Sequence, residues 1–174
     1  CWKAAAIDPG GSNTFGAFSG TQSFTTNQTP PAPTLVYPAS GQTSVSVTPE
    51  FRLYTIDPDV SDYIQYKVLV YQSDCSTLVR TIDQTASQTG WISQSLQSAT
   101  AYSASQQAIH QYQSPALTVN TTYCWKAQAI DPGGTNTFSS FSTTRLFTTS
   151  ATINQTNATV GGGTTIRGGT KIGQ

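Results

Sequence analysis

Short runs in which apolar and polar residues alternate recur along the chain, separated by Pro, Gly, Asp and Ser. That is the pattern of half-buried β-strands in an all-β sandwich. Leu35 to Tyr37 ends at the punctuation of Pro38, Ser40 and Gly41. Val45 and Val47 alternate with serines, and Phe51, Leu53 and Thr55 alternate with Arg52 and Tyr54. Tyr66, Val68 and Val70 oppose Lys67, Leu69 and Tyr71 in the most apolar run, which is expected to be the central strand. Ser76 to Ile82 reads as another strand. From Asp83 to Ser114 the pattern weakens under Gln, Ser and Ala, and two strands are expected near Gly90 to Ser93 and Ala108 to Tyr112, within a longer and looser connection. Trp125, Ala127 and Ala129 then restore the alternation.

The stretch that begins at Cys124 occurs twice. Cys1 to Thr26 and Cys124 to Thr149 differ at only seven of 26 positions, with a period of 123 residues. A period of that length is about one domain. The expected organisation is therefore a strand pair from a preceding module (1–26), a linker (27–33), a complete module (34–149) and a tail (150–174). In each copy AspProGlyGly supplies a turn between two strands, Asp8 to Gly11 in the first. An isolated hairpin is marginal in water, so the sheet that completes the first copy is expected outside this chain, upstream or in another molecule. The linker, NQTPPAP, has three prolines that favour a semi-rigid extended conformation.

Charge changes the picture. Charged residues make up 9% of the 174 residues, against roughly 25% in an average soluble protein. Eight basic and eight acidic residues cancel, which leaves no electrostatic footprint for nucleic acid or an anionic membrane. Solubility must come from Ser, Thr, Asn and Gln, as on extracellular or sugar-covered surfaces. Four Asn-x-Ser/Thr triplets, at Asn27, Asn120, Asn154 and Asn157, are candidate glycosylation sites. No apolar run approaches the roughly 20 residues needed to span a bilayer. With no methionine, the chain is expected to be a processed form or a segment of a longer protein.

The stretch LTVNTTYCWKAQAID, with Leu117 six residues before Tyr123 and then Trp125, Ala127 and Ala129 alternating, resembles the end of the E strand and the F strand of fibronectin type III modules. In that family the leucine and tyrosine build a corner in which the ring packs in the core and the hydroxyl bonds upstream backbone. The following PGG turn and FSSFSTTRLFTT are similar to the family's FG loop and G strand. The resemblance covers 34–149 as a whole module and 1–26 as a remnant, and it implies an antiparallel β-sandwich. The core tryptophan usual on the family's B strand is replaced by Leu53 or Tyr54, and the Asp83 to Ser114 connection is long for the family. The same resemblance implies that Cys75 and Cys124 meet at one pole as a disulfide closing a 49-residue loop, and that Cys1, the equivalent of Cys124, pairs with a cysteine outside the chain.

Candidate chemistry is sparse. Asp57, Asp59 and Asp62 in the acidic loop IDPDVSD would face Asp131 and Asn136 at the same pole, and converging hard oxygens suit Ca2+; AspPro is also ordinary turn chemistry. Trp91, Tyr102 and Tyr112 could form an aromatic platform for sugars or simply cover the core. His110 is the only histidine, with no nucleophile at catalytic spacing. No phosphate-binding glycine loop, zinc-type cluster or carboxylate pair on an identifiable cleft is present, and the expectation is that the protein is not an enzyme. In the tail, Thr164 to Ile172 reads as a hairpin at Gly168 and Gly169, as one strand with Ile166 and Ile172 opposite Arg167 and Lys171, or as a linker. Two functions fit: a structural or adhesive extracellular or cell-surface repeat, partnered by neighbouring copies and glycans and able to serve as the repeating unit of a filament, or an accessory carbohydrate-binding module of a secreted enzyme.

Overall fold

The computed structural model describes residues 1–59 and 61–150; the strand or hairpin expected in the tail and the triplets at Asn154 and Asn157 lie outside the described residues. The described residues hold ten strands: β1 (Thr34–Tyr37), β2 (Gln42–Val45), β3 (Glu50–Tyr54), β4 (Tyr63–Gln72), β5 (Leu78–Asp83), β6 (Trp91–Ile92), β7 (Tyr102–Ser103), β8 (Ala108–Gln111), β9 (Thr122–Ile130) and β10 (Arg145–Thr149). They make two sheets, one ordered β1-β3-β8-β6 and the other β2-β10-β9-β4-β5, with β7 on β4 beyond the end of β5. All pairings are antiparallel except β2 with β10, where the chain has crossed from the first sheet to the second and runs parallel to its edge. The protein is an all-β sandwich, and the described residues contain no helix.

Alternation decides which face each strand buries. In β4, Ile64, Tyr66, Val68 and Val70 are all fully buried, while the residues between them are partly exposed. Its partner β9 presents Trp125, Ala127 and Ala129 inward beside them. The small alanines leave room for large side chains from the facing sheet. Phe51 of β3 meets Trp125 of β9 with ring centroids 4.9 Å apart, which closes the two sheets on each other. Leu53 is fully buried and Tyr54 only half-buried, so Leu53 takes the inward position on that strand. Tyr123 buries its ring, and its hydroxyl accepts a hydrogen bond from Thr118 N at 3.0 Å, forming the expected corner with buried Leu117.

The disulfide joins Cys75, just past β4, to Cys124 on β9, with the two Cα atoms 5.3 Å apart. The register explains the fit, since Tyr71 and Gln72 at the end of β4 stand opposite Cys124 and Tyr123. Cys1 is free and exposed.

The weakly patterned connection holds both expected short strands and one more, β7. It is fastened by Gln84, a fully buried polar residue. Its Oε1 accepts from Tyr66 N at 3.1 Å, and its Nε2 donates to Thr100 O at 2.9 Å.

Residues 1–26 are held by isolated bridges, Trp2 with Gln22 and Ile7 with Phe15, rather than by the two continuous strands expected. Several of the contacts nevertheless repeat the module's own, 123 residues apart. Trp125 stands opposite Arg145 as Trp2 does opposite Gln22. Gly16 N donates to Ala6 O and Ser19 N to Ala4 O, as Ser139 N does to Ala129 O and Ser142 N to Ala127 O. Asn13 and Asn136 close the two turns at φ 52° and 49°.

Candidate metal centre at the linker pole

Two loops meet at the end of the sandwich where the linker arrives. The first joins β3 to β4 and carries Asp57, Asp59 and Asp62; the second leaves β9 through Asp131, Pro132, Gly133 and Gly134. Each begins with an aspartate that turns the chain on its own carboxylate. Asp57 Oδ1 accepts from Asp59 N at 2.8 Å, and Asp131 Oδ1 accepts from Gly133 N at 2.9 Å. AspPro is the sequence signal for such turns. Here the turns leave the second oxygen of each carboxylate without a protein partner.

Carboxylate oxygens of Asp57, Asp59 and Asp62 lie within 4.8 Å of one another. The linker crosses directly over them. Asn27 Nδ2 donates to Asp62 Oδ2, and Gln28 N donates to Asp59 Oδ2 at 2.7 Å. Further along, Thr29 Oγ1 donates to Thr135 Oγ1 at 3.2 Å and Thr55 Oγ1 donates to Pro31 O at 2.9 Å, while Pro30 and Pro33 are buried. Gly134 lets the linker and the second loop touch, because a Cβ at that position would collide with both Asp131 Oδ2 and Asn27 Oδ1. Those two oxygens therefore flank the same spot, beside the cluster.

The electrostatics of this pole are unbalanced. Asp57 and Asp131 are each 1% exposed, and the Oδ2 atoms of both are buried without a hydrogen-bond partner. Burial pushes the Asp57 carboxyl above its ordinary range, and the neighbouring charges of Asp131, Asp59 and Asp62 push the same way against the hydrogen bond from Asp59. Asp131 is raised by burial and by the Asp62 charge, against the hydrogen bond from Gly133. Among the described residues the ion pairs are Arg52 with Glu50 and Lys67 with Asp83, so none of these four aspartates has a cationic partner there. The available donors are all hard oxygens, with no sulfur or imidazole among them.

Asn136 is placed otherwise than expected. It is exposed, and its contribution is a backbone N–H that donates to Asp131 O at 2.9 Å to close the loop. The amide at the cluster is Asn27, which the sequence flags only as a glycosylation triplet. Its approach depends on docking of the linker, and only its place just before the Pro-rich run hints at a position fixed in space. Asn120, the other triplet among the described residues, is exposed in a turn at φ 51°.

The aromatic platform is corrected. Trp91, Tyr102 and Tyr112 are 5%, 0% and 4% exposed and pack inside the sandwich. Trp91 and Tyr102 flank Tyr66, and the Tyr102 hydroxyl is spent on Ile92 O at 2.6 Å. The polar region around them in sequence hid their direction, since the apolar surfaces they cover, Tyr66 on β4 for Trp91 and Tyr102 and Phe51 on β3 for Tyr112, come from strands far away in the chain. His110 is likewise packed, edge-on to Trp91.

No protein-family model matches the chain, and no curated protein matches its sequence. Among solved structures, the α-L-rhamnosidase of Streptomyces avermitilis, crystallised with L-rhamnose, is similar at 16% identity and a TM-score of 0.41. That match covers 70% of this chain but spans only 10% of the enzyme's length. A likeness this distant carries no functional argument, and it is the geometry of the pole and of the repeat on which a functional reading rests.

Proposed function

We propose that this chain is part of an extracellular structural or adhesive protein built from tandem fibronectin type III-like modules. In that reading residues 1–26 are the closing strand pair of one module, 27–33 the junction, 34–149 a complete module and 150–174 a Ser/Thr/Gly-rich tail. The observation that carries it is the double occurrence, 123 residues apart, of one sequence stretch that keeps the same turn and several of the same backbone hydrogen bonds. In the second copy Trp125 and Phe147 are 0% and 1% exposed; their counterparts Trp2 and Phe24 are 54% and 68% exposed. A face of that composition is stable when covered by a sandwich, and the module supplies the example of what covers it. The Cys75–Cys124 bridge and the low-charge surface suit an oxidising compartment. The reading asks no catalysis of any residue. The accessory carbohydrate-binding alternative loses its aromatic row, because those rings support the core.

Electron microscopy of the native material tests the proposal. Filaments or beaded arrays with a constant axial repeat are expected. Monodisperse particles with no internal repeat would overturn it.

A further inference from the structure

We propose that Asn27, Asp57, Asp59, Asp62 and Asp131 bind a calcium ion that fastens the linker to the pole of the sandwich. Three aspartates from one short loop present oxygens within 4.8 Å of one another. That alone is common on protein surfaces. What singles this pole out is a pair of carboxylates, Asp57 and Asp131, each 1% exposed and each holding one buried oxygen with no hydrogen-bond partner. Burying an unpaired carboxylate is costly unless it is paired or bound to a metal. Two of them, beside two more aspartates and without a described cation, describe a site completed by a cation from solution.

The donors select which cation. Carboxylate and amide oxygens are hard ligands, and the absence of thiolate or imidazole at the cluster argues against zinc. Calcium accepts six to eight oxygens in irregular arrangements, and carboxylates can serve it with one oxygen or two. Magnesium demands near-octahedral geometry and keeps its waters, which suits five side chains from three separate segments less well.

Asn27 gives the ion a structural consequence. Its Oδ1 stands beside Asp131 Oδ2 over Gly134, and its Nδ2 reaches Asp62. The neighbouring Gln28 N is held by Asp59. An ion at this place binds the linker, the β3–β4 loop and the loop after β9 together, so its removal leaves four aspartates repelling one another under the linker. This site bears on the tandem-repeat reading without resting on it.

Titration calorimetry of calcium chloride into the full chain, stripped with EGTA, tests the site, alongside thermal melts. Saturable binding is expected with a Kd of about 0.1–1 mM, the range of extracellular calcium modules. At calcium about a hundredfold above Kd the melting temperature should rise by roughly 5–10 °C. Magnesium should give a smaller shift. Asn27→Ala also removes the hydrogen bond to Asp62, so its own melt in EGTA is the baseline for its calcium shift, and it should bind calcium about tenfold more weakly; Asp62→Asn should abolish the calcium shift. No heat and no shift at about 10 mM calcium, or an equal response to magnesium, would overturn the proposal. An Asn27→Ala chain that titrates like its parent would overturn the linker's part in it. Calcium binding by material that forms no regular array would remove the tandem-repeat reading and leave the site standing.

Discussion

His110 sits on β8 between Phe51 and Trp91 of its neighbouring strands, 3% exposed, with its Nδ1 unpaired. Burial pushes its pKa down to about 4, and the nearby Arg80 pushes the same way against a hydrogen bond to Thr89 backbone. The ring is therefore neutral in the fold at neutral pH. Between pH 6.5 and about 4 the unfolded chain binds a proton that the folded chain does not, so stability falls as pH falls through that window and levels off below it. The full difference is about 3 kcal/mol. Denaturant unfolding of the parent and of His110→Gln at pH 7 and pH 4.5 checks this, with the steeper acid loss expected in the parent. At Tyr123 a smaller effect is expected. Tyr123→Phe keeps the ring and strips Thr118 N of its acceptor, and it should cost about 1 kcal/mol by equilibrium unfolding.

At the scale of elements, legibility followed how regularly side chains alternate. β4 and β9 were readable because every second residue is apolar and fully buried. β7 was not, because Tyr102–Ser103 is two residues long in a Ser- and Gln-rich stretch and is placed by pairing with Tyr63 and Ile64, some 40 positions earlier. Gln84 was missed for a related reason, since a glutamine is buried here only because backbone groups of Tyr66 and Thr100 happen to satisfy it. The disulfide followed from the resemblance once β4 and β9 were taken as antiparallel neighbours. It closes a 49-residue loop, for which the chain-entropy model gives about 4 kcal/mol. The double substitution Cys75→Ala with Cys124→Ala should lower unfolding free energy by that order and shift the urea midpoint without moving the folded far-ultraviolet spectrum. A loss below about 1 kcal/mol would mean that β4 and β9 hold the unfolded chain together without it.

For the molecule as a whole, the question is whether the linker is a spacer or a part of the module. The acidic half of the pole was legible, since AspPro loops advertise their turns. Asn27 was not, because it reaches the cluster only after Asn27 to Pro33 lies down across 30 residues of intervening sequence. The contacts make the linker part of the module: Pro30 and Pro33 are buried, Gln28 N bonds Asp59, and Thr55, itself 2% exposed, donates to Pro31 O. Local opening of such a segment has its own free energy, below that of global unfolding. Thr55→Val keeps the shape of a buried side chain and deletes the bond to Pro31. It should weaken linker docking by about 1 kcal/mol, which is a fivefold loss of hydrogen-exchange protection at the Gln28 amide. Protection of core amides such as Val68 should be less affected, because β4 opens only with the sandwich. Gln28 exchanging at the rate of an unstructured peptide already in the parent would show that the linker is free, and the junction would then transmit no orientation from one module to the next.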